Sequence, residues 1–207
     1  MSHFPFNWKL AKALQGENKA TWMRRGHIAV LECAPQAAGA ATIHAAMTLT
    51  ASASDITSGF VAGILAKLAA CPQILSITGA MAGASLTGNV VITGTDIGGN
   101  AATDTIALNN NATVVGVVAF ASIANVHLPV KVTTADTVTI GTVKSSGVPF
   151  LSGHFVVALQ KFYDGSTDAG TLTLDASDVS KSKYVPAGAC DGTKVVQLTL
   201  VIADTLS

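Results

Sequence analysis

The sequence predicts an all-β protein. The expected form is an antiparallel β-sandwich or jelly-roll-like barrel, with an extended N-terminal arm and room for one short helix. Three observations carry this. From Pro72 onward, apolar and polar residues alternate with the two-residue period of half-buried strands. Strand signals separated by turn residues recur about every eight to twelve residues, the spacing of sandwiches and barrels. Small and β-branched residues dominate the chain, charged residues make up only 12%, and aromatic residues 5%.

Residues 1–26 read as the arm. HFPFNW is aromatic and irregular, and Pro5 blocks an early helix. Asn7 is placed to cap a short helix over WKLAKALQ, which Gly16 would end. Phe4, Phe6, Trp8 and Trp22 are anchors that need a surface to pack on, and Arg24 and Arg25 complete the only basic cluster. These six residues are the candidate interface. The body spans 27–207, with 145–153 as the place where it would divide.

Within the body, His27–Cys33 and Ile43–Thr50 read as strands. Ser54 or Asp55 is placed to cap a helix running to Ala70, against which Gly59 and Gly63 argue. ILSITG, SLTGNVVITGTD and AATDTIALN then alternate, with Ile97–Asn100 (IGGN) as a hairpin turn and Asn109–Asn111 as the next. TVVGVVAFASI, PVKVTT and TVTIGT follow as strands. His154–Tyr163 is a long strand, DGSTDAG a polar turn and TLTLDA a short strand. KYVPAGACDG is a loop, and Lys194–Asp204 is the closing strand. Ala112–Val130 carries no charge and is long enough to cross a membrane. Gly116, Asn125, His127, Pro129 and the abundance of valine instead favour two short strands joined by a turn.

The chemistry-bearing residues are dispersed. Asp96, Asp164, Asp168 and Asp191 lie in turns, where aspartate side chains bond the local backbone. DGSTDAG alternates like a calcium loop but lacks the distal bidentate Glu that such a loop needs. His3, His27, His44, His127 and His154 form no HxH or HExxH pattern, and no GxSxG, P-loop or GxGxxG occurs. No catalytic residue, cofactor or metal is therefore expected. Cys33, Cys71 and Cys190 form no CxxC pair and are expected as buried reduced thiols of a protein made in the cytoplasm. Twelve bases balance twelve acids, so no global field draws the chain to nucleic acid or anionic lipid. So little charge on so apolar a chain implies that much of its surface meets other protein.

GNVVITGTDIGGNAATDTIALNNNATVVGVVAFASIANVHLP (88–129) resembles a segment of virion structural proteins of tailed bacteriophages. There an "ITGTD" strand, a Gly/Asn turn and a "TETIAL"-like strand precede a "G-x-x-AF-x-x-I" strand. TADTVTIGTVKSSGVPF (134–150) is similar to the next piece of that family, and residues 154–202 to its C-terminal module. The resemblance covers Gln73–Ala203 and rests on turn chemistry and alternation. The sequence departs from it at Ala102–Asp104, where the family shows a Thr-Glu pair, and throughout the N-terminal third.

The resemblance implies a non-enzymatic β-rich virion subunit, made in the host cytoplasm. It would bind or stabilise the capsid as a decoration or cement protein, through self-association and docking of the arm. Its partners would be itself, as a homo-oligomer such as a trimer, and the major capsid protein, with no membrane or nucleic acid involved. One alternative is a tail-tube, neck or fibre-base subunit that closes into a ring. Another is a host-surface glycan-binding module, against which the low aromatic content argues.

Overall fold

The computed structural model describes residues 26–83, 85–131, 135–154 and 156–203. Among the described residues the fold is all-β with one short α-helix, and every strand pair is antiparallel. The strands are β1 (Gly26–Cys33), β2 (Gly39–Thr48), β3 (Ser54–Ile56), β4 (Gln73–Ala80), β5 (Asn89–Thr95), β6 (Ala101–Ala107), β7 (Thr113–Phe120) and β8 (Ser122–Leu128). After these come β9 (Thr137–Thr142), β10 (Ser146–Gly147), β11 (Val156–Tyr163), β12 (Ser166–Thr167), β13 (Thr171–Thr173), β14 (Lys183–Val185) and β15 (Val196–Ala203). The helix α1 spans Ala62–Ala70.

Two four-stranded sheets, ordered β2-β9-β4-β7 and β3-β8-β5-β6, enclose the first core. Their inward residues, among them Ile43, Leu75, Ile77, Ile92, Phe120, Val126 and Ile140, are fully buried, and Leu68 of α1 closes one side. The alternation of β6, with Ala102, Asp104 and Ile106 buried between exposed neighbours, is the half-buried pattern that its sequence displays.

A second, smaller core lies between a sheet ordered β1-β15-β11-β12 and a three-stranded sheet ordered β10-β14-β13. Val148, Tyr184, Val196, Leu198 and Leu200 fill it. The described residues begin in this second unit with β1, build the whole first unit, and return. β1 pairs along its full length with β15, from Gly26 opposite Ala203 to Cys33 opposite Val196.

The two units meet where these crossings run side by side. The Gln73 amide accepts a hydrogen bond from the Gln36 N–H (2.9 Å) and donates to the carbonyls of Gln36 (3.2 Å) and Val143 (3.1 Å). Ser145 Oγ accepts from the Ile74 N–H (2.9 Å), and the Gly147 N–H donates to the Pro72 carbonyl (2.7 Å). These groups are buried, so their pairing removes a desolvation cost that would otherwise fall on the junction.

Several expectations require correction. Cys33 and Cys71 are not reduced: they form a disulfide with a Cα–Cα separation of 5.2 Å across 38 residues of sequence. The end of β1 meets the C-terminus of α1 there, a proximity that neither local sequence contains. Cys190 is free and buried. The helix does not start at Ser54 or Asp55, which belong to β3. It starts after Val61, because Gly59 takes a φ of +82° and interrupts the segment. Pro129, Val130 and Lys131 are not a strand, since Pro129 follows the end of β8 and offers no N–H to a ladder. Residues 183–192 are not wholly loop, because β14 takes the first three.

Residues 112–130 hold β7 and β8, as the strand reading required. The two do not pair with each other. β7 lies beside β4 and β8 beside β5, and the chain changes sheet at Ala121, whose N–H donates to the Thr95 carbonyl (2.7 Å). Among the described residues, no helix is long and apolar enough to cross a membrane.

Candidate interaction surfaces

The ionisable groups are arranged as structural ties. Asp96 Oδ1 accepts from the N–H groups of Gly98 (2.8 Å) and Asn100 (2.9 Å), which fixes the β5–β6 hairpin as the sequence implied. Asp191 Oδ1 accepts from the Thr193 N–H and Oγ1 and the Lys194 N–H, each at 2.8 Å. Those backbone bonds from Lys194 and Thr193 hold its carboxyl down at about 2.

Asp168 behaves differently from a turn aspartate. It is buried, and its carboxylate accepts from the Tyr184 hydroxyl (2.5 Å) and the Ala187 N–H (3.2 Å). Burial, followed by this bond, pushes the Tyr184 hydroxyl well above its usual range. Asp168 is thus tied to Tyr184 of the second core and to the backbone at Ala187, not to the DGSTDAG turn in which it lies.

Asp104 closes the corner between the two sheets of the first unit. Between the pairs Ile74–Ala119 and Ser76–Val115, β7 carries extra residues that bulge away from β4. The bulge turns the N–H groups of Val117 and Val118 toward β6, where Asp104 Oδ2 accepts both (2.8 and 3.1 Å). Gly116 leaves room for that carboxylate, because a Cβ there would sit 2.2 Å from Asp104 Oδ2.

Two histidines have clear surroundings. His44 packs edge-on against Phe60, with ring centres 5.6 Å apart, and its Nδ1 bonds the Ala45 carbonyl (2.8 Å). His127 Nδ1 donates to Asp55 Oδ1 (2.8 Å), which also accepts from Asn125 Nδ2 (2.9 Å). The bonds from Asn125 and His127 lower the Asp55 carboxyl below its usual range. The pair is solvent-exposed, where such contacts contribute little. Among the described residues, no three His, Cys, Asp or Glu side chains converge as a metal site.

Two concave regions lie among the described residues. A cavity of about 60 Å³ lies beside the disulfide, lined by Leu31, Cys33, Pro72, Gly147 and Leu198. Small-molecule sites usually run to several hundred Å³. A wider cleft of about 360 Å³ lies open over Gly39, Ser76, Thr113, Val115 and Thr142, and no ionisable side chain lines it.

Among the described residues several large apolar side chains are exposed, and two pairs of them lie at alternate positions of one strand. Ile28 and Val30 on β1 are 61% and 56% exposed, and Leu159, the extra residue of a bulge in β11, is exposed in the same sheet. Val115 and Val117 on β7 are 52% and 49% exposed. Alternation explains the first patch. Leu31 points inward to the second core while Ile28 and Val30 point outward, opposite Val201 and Thr199 of β15. Among the described residues, β1 has no strand on its other side.

The six arm residues expected as the interface, Phe4, Phe6, Trp8, Trp22, Arg24 and Arg25, lie outside the described residues. They precede β1 directly in the chain. Sequence reasoning did not single out Ile28, Val30, Val115 or Val117. Alternation shows that one face of a strand is buried, but it does not show whether the other face is covered.

Comparison of the chain with protein-family models, with curated proteins and with solved structures finds no match in any of the three.

Proposed function

We propose that the chain is a non-enzymatic structural subunit of a tailed-phage virion. It would bind or stabilise the capsid in the manner of a decoration or cement protein, through self-association and contact with the major capsid protein. The observation that carries this reading is the pairing of large apolar side chains on exposed strands, Ile28 with Val30 and Val115 with Val117. Such residues grouped on a charge-poor surface mark contact with other protein. The resemblance over Gln73–Ala203 supports the same reading.

A neck or tail subunit that closes into a ring is the second reading. Two different apolar patches on two different units favour it, because head-to-tail contact joins unlike surfaces.

The test is mass spectrometry of purified tailed-phage particles from the phage or lysogen that encodes the chain. The expected result is the chain in stoichiometric amount, released when Ile28 and Val30 are both replaced by Lys. Particles that lack the chain would contradict the proposal.

A further inference from the structure

We propose that the free edge and outer face of β1 receive the arm, residues 1–25, of a second copy of this chain. The inference rests on the self-association proposed above and names its partner surface.

Four observations lead to it. First, β1 is the outermost strand of its sheet and runs for eight residues, so among the described residues its outer backbone groups face no strand. An open edge of that length is a template for strand addition. Second, the face beside that edge is apolar at alternate positions, Ile28 and Val30. Third, the arm has a matching period: Phe4, Phe6 and Trp8 also occur at alternate positions, so the added strand would extend through Asn7 and Trp8 in place of the helix start that the sequence offers there. In an added strand all three would lie on one face, beside Ile28 and Val30. If their backbone groups pair with β1, the nitrogen of Pro5 turns outward, the orientation in which an edge strand tolerates proline. Fourth, the charges are complementary. Residues 1–25 hold five bases against one acid, a net +4, and residues 26–207 hold seven lysines against eleven acids, a net −4.

The placement of the acids sets the direction of the added strand, and the low charge of so apolar a chain favours a second copy as its source. Glu32, Asp164 and Asp191 are exposed and gather, with Lys194 among them, at the Cys33 end of the sheet, where β1, β11 and β15 are paired Cys33–Val196–Tyr163. The arm joins β1 at the other end. An arm strand parallel to β1 would carry Lys9 and Lys12 past Trp8 toward those acids. Within one chain that orientation needs a crossover back along the strand, whereas a second copy meets no such constraint.

The experiment uses full-length chains. One variant carries Ile28→Lys and Val30→Lys, the other Phe4→Ser, Phe6→Ser and Trp8→Ser. All substituted body positions are exposed, and circular dichroism checks that each variant keeps its strand content. Light scattering behind a sizing column is expected to show wild-type chains associated and each variant alone as a monomer. An equimolar mixture of the two variants is expected to contain a species holding both, because one supplies an intact arm and the other an intact face. If the face variant does not fold, a fluorescently labelled peptide of residues 2–10 is titrated into the arm variant, and saturable binding is expected. Wild-type chains that associate while the mixture stays monomeric, or a peptide that does not bind, would overturn the arm contact and leave self-association standing. Wild-type chains that stay monomeric would overturn both.

Discussion

Asp104 illustrates how a single side chain sets local geometry in this molecule. Its carboxylate substitutes for the strand that β7 loses at the bulge, accepting the N–H groups of Val117 and Val118. Replacing Asp104 with Ala leaves two donors facing a buried site, at a cost of about 1–3 kcal/mol. Urea unfolding is expected to show that loss, and a variant as stable as the wild type would refute the role assigned to Asp104. The turn carboxylates act more weakly but together. Asp191, held at about 2 by backbone bonds, and Asp55, Asp175 and Asp178, lowered chiefly by hydrogen bonds, all have folded pKa values below their unfolded ones. Their contribution is present above the unfolded carboxylate pKa of about 4 and is lost as pH falls through the folded values. The thermal midpoint is therefore expected to be level between about pH 7 and 5 and to drop from about pH 4 to 2. A midpoint that stays constant to pH 2 would contradict this. Asp96 and Asp191 were legible in the sequence because their partners lie within four residues. Asp104 and Asp168 were not, because their partners come from other strands.

At the scale of elements, period-two alternation made most strands readable, and the Gly- and Asn-rich turns placed their ends. The errors fell where two local preferences compete. Residues 54–70 hold both a strand and a helix, and Gly59 separates them in a way that composition alone does not rank. The Cys33–Cys71 bond was hidden for a different reason: it depends on where β1 and α1 meet. A loop of 38 residues gives, by the chain-entropy relation, a stabilisation of about 4 kcal/mol. Thiol titration in denaturant without reductant is expected to find one thiol per chain, Cys190, and three after reduction. Three without reduction would show that the bond does not form. Loss of the bond through Cys33→Ala with Cys71→Ala is expected to lower the thermal midpoint by several degrees.

The molecule as a whole consists of two cores on one returning chain. Among the described residues the first strand, β1, pairs with the last, β15, so the segment that follows the arm is anchored by residues 196–203. Fold class was legible because it depends on period and spacing. The interface was only half legible: the anchors of the arm stand out in the sequence, while their receiving surface emerges only once β1 is placed at a sheet edge. Net charges of +4 on the arm and −4 on the rest of the chain then give the two parts a reason to meet, and salt should weaken that meeting. The most direct test of self-association is the molar mass of the full-length protein by light scattering across a concentration series, at low and at high salt. A multi-chain species that grows with concentration and recedes with salt is the expected result. A constant mass of 20.9 kDa at every concentration would contradict it.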